Sequence, residues 1–216
     1  MKINFDSVIH LLHGALFGSL ATQSVQMPGY PFASILPYVL DEQHAPVFLV
    51  SALAEHTKNI LADSRASFLV HGPEQHDILA SERVSLLGEV VRIEASPGLV
   101  RHYLRHQPNA EPYLGLGDFA FFRFSPQRAR YIGGFGRMGW LDVVDWDDAA
   151  VLALEDADAL LDDAIASQPA GVRLLGLDCY GFDMERDGMR ERQRFQDGPI
   201  RADRIAEIVK RYLAVM

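Results

Sequence analysis

The sequence predicts an antiparallel β-barrel followed by a small α+β unit, and three observations carry that prediction. The first two thirds of the chain hold a succession of apolar strands, each under a dozen residues, with only short helices between them. Charge then breaks sharply. The first 140 residues carry 12 acidic and 11 basic side chains and the last 76 carry 17 and 9, so the net charge of −9 sits almost wholly in the last third. Beyond Trp140 the rhythm changes to an acidic helix, a hairpin and an amphipathic helix. The expected domains are a barrel over 1–143 and an α+β unit over 144–216.

Taken in order, Asp6 to Phe17 has helical spacing, with Val8, Leu11, Leu12 and Ala15 on one face. Strands are expected at Gly18–Gln23, Phe32–Leu40 and Val47–Ser51, then a short helix from Glu55 to Ala62 and a strand at Ser67–His71. Ser85–Ile93 is a long strand interrupted by Gly88, a position that marks a bend, a bulge or the close approach of another group. Ser96 and Pro97 cap and open a helix to His106. Phe119–Phe124 and Ala129–Ile132 are read as two strands joined by the turn SPQR. In the last third, Asp147 to Ser167 reads as one acidic, alanine-rich helix. Val172–Cys179 and Phe182–Glu185 follow as strands. Asp187-Gly188 is the signature of a tight hairpin returning through Met189–Phe195. Ala202 to Val215 is amphipathic, with Ile205, Ile208, Val209 and Leu213 on one side.

Hydrophobic residues make up 49% of the chain, enough for a substantial core. The run Val8 to Leu20 is broken by His10, His13 and Gly14 and lacks a strong basic leader, so neither a signal peptide nor a membrane span is expected. The lone Cys179 excludes an intramolecular disulfide, fits a reducing cytoplasm and reads as a small core residue. The acidic balance argues against nucleic acid as partner. A small anionic ligand suits the near-neutral first part better.

The chemistry concentrates at one strand-to-helix junction. Ser51 ends a strand, and Thr57, Lys58 and Asn59 open the helix, so hydroxyls, an ammonium and free helical N–H groups converge as a phosphate requires. Lys58 is one of three lysines in the chain; an ordinary helix start with a solvated lysine has the same spacing. His56 either joins this site or is a plain surface residue. In Tyr131–Arg137 (YIGGFGR) the glycines either admit a flat ligand against Tyr131 and Phe135 or make a tight turn. The spacing is not that of a dinucleotide fingerprint. His102 and His106 share a helix face at a metal-ligand spacing, but with Arg101 and Arg105 interleaved and no matching carboxylate or cysteine they read as a solvated face, and no metal is expected. The acid pairs Asp147–Asp148 and Asp162–Asp163 read as a solvated helix face, and no G-x-S-x-G motif supports serine hydrolysis.

With these elements placed, the segments PFASILPYVL, VFLVSALAEHTKNI, SERVSLLGEV and YIGGFGRMGWL resemble the flavin-binding split-barrel superfamily typified by pyridoxamine 5′-phosphate oxidase. The tail LLGLDCYGFDMERDGMRERQRF is similar to the appended α+β domain of its haem-utilisation (HugZ-type) branch. The resemblance implies a split barrel that pairs as a homodimer with FMN at the subunit interface. Ser51, Thr57, Lys58 and Arg83 would then grip the phosphate, Ser34, Pro37 and Tyr38 would run along the flavin, and Gly134 and Phe135 would lie nearby. It implies an FMN-dependent oxidoreductase acting on a small planar substrate, with haem binding or degradation as the alternative; no residue is assigned a catalytic role. The chain departs from the haem branch in one respect. All eight histidines precede residue 107, so the C-terminal axial histidine of those relatives is absent.

Overall fold

The structure, a computed structural model, describes residues 3–72, 80–134, 136–166 and 168–215. Helix α1 (Phe5–Gly14) is capped by the Asn4 side chain, which accepts from the Asp6 N–H. It ends three residues before the expected Phe17, which instead opens β1 (Phe17–Gln23). The predicted single strand Phe32–Leu40 is in fact two, β2 (Pro31–Pro37) and β3 (Val39–Leu40). Strand β4 (Pro46–Ser51), helix α2 (Glu55–Ala62) and β5 (Arg65–His71) follow, then the long β6 (Glu82–Ile93) and α3 (Pro97–His106). A 3-10 turn at Pro108–Ala110 and the short α4 (Glu111–Leu114) lead to β7 (Phe119–Gly133) and β8 (Met138–Asp142).

Eight strands form one antiparallel sheet in the order β2-β1-β5-β6-β7-β4-β3, with β8 also paired to β7. The two edges are consecutive in the chain: β2 pairs with β1, and β3 with β4. The corner between them falls at Tyr38, so the sheet curls until it almost closes. Tyr38 is 2% exposed and its hydroxyl donates to the Leu12 carbonyl at 2.5 Å, which pins α1 across the open end. The predicted SPQR turn does not exist. Ser125 to Arg128 continue through β7, because β7 carries one extra residue, Gln127, opposite the Leu87–Gly88 step of β6 and lets the long pair bend without breaking. Gly88 is required there: a Cβ would stand 2.1 Å from the Ser125 carbonyl oxygen.

The C-terminal unit begins with two helices where one was expected, α5 (Val143–Asp147) and α6 (Leu154–Ile165). Strands β9 (Val172–Asp178), β10 (Gly181–Arg186) and β11 (Met189–Arg194) form a second sheet, and α7 (Ala202–Leu213) closes the chain. The β10–β11 hairpin turns at Asp187-Gly188, both with positive φ as its signature requires. Its core, including Phe182, Leu161, Ile205 and Val209, is separate from the barrel core around Phe48, Phe68 and Phe124. Cys179 is buried in the former, and burial pushes its thiol up to about 11.

The two units meet around a buried ion-pair cluster built on the second sheet, beside apolar contacts such as Ile9 of α1 in the α+β core. Arg192 of β11, its side chain 4% exposed, reaches the carboxylates of Asp178 and Asp183 at 2.8–2.9 Å. Burial alone would raise the Asp183 carboxyl; Arg192 and then His13 hold it well below the usual range. His13 of α1 lies 3.0 Å from Asp183, and His106 of α3 lies 3.5 Å from it. His102 and His106 are each 6% exposed and face this joint, which corrects the expectation of a solvated face. The reason is tertiary: Gly176 of β9 leaves room for both rings, and a Cβ there would meet His106 at 2.8 Å.

Candidate ligand face of the barrel

Alternation along the strands sorts the predicted residues onto two sides of the sheet. Gly18, Leu20 and Thr22 of β1 point inward, and Phe17, Ser19 and Ala21 outward. Ser34 pairs with Leu20 on the inner side, and Tyr38 is core, so neither lies on the outer face; Pro37, opposite Phe17, does. Ser51 ends β4, and Thr57 and Lys58 stand in the first turns of α2. Thr57 is nevertheless 2% exposed, and Asn59 beside it is spent on tying α2 to Thr22 and Val25.

The side chains at this junction are acidic in character. The Ser51 hydroxyl donates to Asp118 Oδ2 at 2.5 Å, and the Lys58 ammonium sits 3.7 Å from Glu55, which itself occupies the first turn of α2. A phosphate dianion needs donors here, and two carboxylates oppose it. Ser34 Oγ, Thr57 Oγ1 and His56 Nε2 are buried without hydrogen-bond partners. Arg83 does not join this group. Register places Ser51 opposite Phe119 and Arg83 opposite Ile132, near opposite ends of β7. Their separation along that strand is roughly 40 Å of contour.

Arg83 belongs instead to an outward-facing surface that runs across six strands. One row reads His71, Arg83, Ile132 and Met138. The next reads Ile35, Ser19, Leu69, Ser85, Arg130 and Trp140. A third has Ala33, Ala21, Ser67, Leu87, Arg128 and Asp142. The middle strands offer small or apolar groups, with Phe17, Ile35, Leu69 and Leu87 exposed. Three arginines line the β6–β7 side, two of them stacked on Trp140 at 4.6 and 5.6 Å. An apolar field of this breadth on a sheet face marks a docking or ligand surface.

His71 sits at the head of this surface, and sequence reasoning did not single it out. Its Nδ1 lies 2.8 Å from the Gly72 carbonyl, which can only accept, so Nδ1 carries the proton and Nε2 keeps a lone pair. In a neutral ring that tautomer leaves Nε2 able to ligate a metal. Only the strand register, which sets His71 opposite Arg83, distinguishes it from the other histidines.

In the Tyr131–Arg137 segment the described glycines form the connection between β7 and β8. Gly134 and Gly136 take positive φ in the β7–β8 connection, where the Gly133 N–H donates to the Arg137 carbonyl. Tyr131 is 1% exposed and donates to Glu82 at 2.8 Å. Phe135 lies outside the described residues.

Comparison with known proteins matches residues 9–148 to the family described as CREG, β-barrel. The chain belongs to this family. Non-canonical heme oxygenase HOZ, chloroplastic, from Arabidopsis thaliana is 36% identical over 132 residues, 60% of this chain and 40% of that protein. The chain thus spans about two fifths of the length of that relative. Among solved structures, a heme binding protein from Mycobacterium smegmatis is 27% identical, with a TM-score of 0.64 and full coverage of both chains. A protein of unknown function from Agrobacterium tumefaciens shares the fold with a TM-score of 0.73 at 20% identity, covering 97% of this chain and 94% of its own. These two matches take in the α+β unit as well as the barrel. No helix among the described residues is long and apolar enough to cross a membrane.

Proposed function

We propose that this member of the CREG β-barrel family is a haem-binding protein and that the outer face of β1, β5, β6, β7 and β8 is its haem surface. The carrying observation is the position of His71, a bare imidazole nitrogen at the edge of an apolar field bordered by arginines. Those are the donor types that a haem requires: an axial nitrogen for iron, an apolar floor for the macrocycle, and cations for its two carboxylates. Arg83 and Arg130 are the residues for the carboxylates. When bound, haem supplies iron-centred redox and oxygen chemistry; the chain supplies the ligand, the orientation and the exclusion of water. The two named haem proteins among the relatives support this reading. The face is open on one side, and a second copy of the chain is the partner proposed to cover it.

FMN is the second reading, favoured by the unpartnered hydroxyls of Ser34 and Thr57 and opposed by Asp118 and Glu55 at the same junction. One experiment separates the two. Purified protein is titrated with haemin and with FMN and followed by absorption, in the native chain, His71→Ala and Lys58→Ala. A Soret band that forms stoichiometrically, shifts and weakens in His71→Ala, and is untouched in Lys58→Ala supports haem. Tight FMN binding lost in Lys58→Ala, with haemin bound only weakly and identically in His71→Ala, overturns it.

A further inference from the structure

Strand β8 carries an indole to the outer face, and register keeps it there. Leu141 is 4% exposed, and a Cβ on Gly139 would stand 2.6 Å from Ile3, so these two positions are pressed against the barrel interior. Trp140, between them, points outward and is 47% exposed. A slip of one residue would bury the indole and expose Leu141. The ring thus lies outside the core, in contrast to Trp146, which is buried in it.

What the ring touches is positive charge. Trp140 stands directly opposite Arg130 of β7 and diagonally from Arg128. The Arg128 guanidinium lies 4.6 Å from the ring centroid and that of Arg130 lies 5.6 Å from it. The two arginines differ in what else they hold. Arg128 Nε contacts Asp142 Oδ1 at 3.0 Å, and Asp142 is the one carboxylate in the three outer rows. Arg130 makes no hydrogen bond or ion pair with any described residue. A guanidinium over an aromatic ring is held by attraction to the π face, which requires none of its five N–H donors. Arg130 is therefore oriented while its donors stay available. An arginine already laid on a ring also has less side-chain freedom to lose when it grips an anion.

We propose that Trp140 is a positioning residue of the ligand face: it holds Arg130 as the receiver of a ligand carboxylate, so the face selects planar ligands with free carboxylates over their neutral esters. This rests on the reading that the outer face binds a porphyrin. It goes further by assigning the selectivity to the Trp140–Arg130 pair. In the competing arrangement Trp140 is a piece of apolar floor, and its loss weakens every planar ligand alike.

The test compares a metal-free porphyrin dicarboxylate with its dimethyl ester in the same neutral detergent. Both are followed by porphyrin absorption, so that loss of an indole leaves the readout unchanged. Without iron His71 has no bond to make, and the result does not depend on whether His71 ligates haem. The native chain is expected to bind the diacid at least about ten-fold tighter than the diester, as hydrogen bonds to a charged group supply. Arg130→Gln and Trp140→Leu should each cut that ratio by at least about three-fold, with diester affinity moving less than about two-fold. Trp140→Phe should keep most of the ratio, because a π face remains. Arg211→Gln, on α7, is the control that leaves both affinities unchanged. The double variant should bind the diacid no more weakly than Arg130→Gln alone, since Trp140 acts through Arg130. Equal weakening of diacid and diester in Trp140→Leu, or additive losses in the double variant, overturns the proposal. So does a native ratio under about two-fold, which is below what one charged hydrogen bond supplies. A native chain that binds neither porphyrin overturns this inference and the haem reading together. Diacid selectivity that depends on Trp140, beside a haemin Soret band indifferent to His71→Ala, upholds the inference and removes the axial ligand alone. Should Trp140→Leu fail to fold, Arg130→Gln and Trp140→Phe decide, and a ratio untouched by Arg130→Gln overturns it.

Discussion

Replacing Arg192 by Met would strand two buried carboxylates at once. The guanidinium is 4% exposed and contacts Asp178 and Asp183 at 2.8–2.9 Å, with Nε also 3.2 Å from His10 Nδ1. Removing one partner of a buried ion pair costs about 3–5 kcal/mol, because the remaining charge keeps its desolvation penalty and loses its compensation. Here the lower half of that range is expected, about 3 kcal/mol. Asp178 retains the Tyr180 and Gly181 N–H groups, and Asp183 retains His13. Against a total stability of about 5–15 kcal/mol this is a large fraction. Urea unfolding followed by the fluorescence of Trp146, a buried ring that donates to the His44 carbonyl near the joint, provides the measure. Adding Asp183→Asn to the variant should return at least about 1 kcal/mol, since it removes one stranded charge. A loss under about 1 kcal/mol for Arg192→Met, or no recovery in the double variant, would refute the view that this buried ion-pair network stabilises the α+β unit.

Four further outcomes are expected. Gly88→Ala should cost about 1–3 kcal/mol by thermal unfolding, because the Ser125 carbonyl 2.1 Å from the new Cβ is backbone and cannot swing aside. Tyr38→Phe should cost about 1–2 kcal/mol by losing the donor to the Leu12 carbonyl and leaving that acceptor buried. Burial first, then Arg192 and Arg194, lower the His10 imidazole to about 3, so the folded state favours the neutral ring. Its contribution is full above pH 6.5 and is lost as pH falls from 6.5 toward 3. About 1 kcal/mol should disappear by pH 5, half the full linkage value because the ring keeps some solvent contact, and His10→Gln should flatten that slope. Cys179, buried with its thiol pushed up to about 11, should react with a disulfide reagent at pH 8 only at the rate of unfolding.

Patterns that depend on neighbours in the chain were readable in advance. Helix α2 falls at Glu55–Ala62 and α3 at Pro97–His106, the expected bounds, because the Ser96 cap and Pro97 act locally. The Asp187-Gly188 turn and the core position of Cys179 were readable for the same reason. Errors fell where a partner strand decides. SPQR has turn composition, yet the bulge opposite Gly88 lets β7 run through it. Phe32–Leu40 is uniformly apolar, and only the closing of the sheet puts a corner at Tyr38.

The functional residues divide along the same line. Composition and spacing alone determined a barrel with an acidic α+β appendage, the strand-to-helix junction of Ser51, Thr57 and Lys58, and a chain whose histidines all lie before residue 107. Tertiary structure decided where those groups point. Strand register moved Arg83 away from Ser51 and set it opposite His71. Packing of α3 against β9 turned His102 and His106 from an expected solvated face into the joint with Asp183, which lies 77 positions beyond His106 in the chain. Periodicity reports which face a residue takes within its own element; which other element covers that face is set by long-range pairing, and no local pattern encodes it.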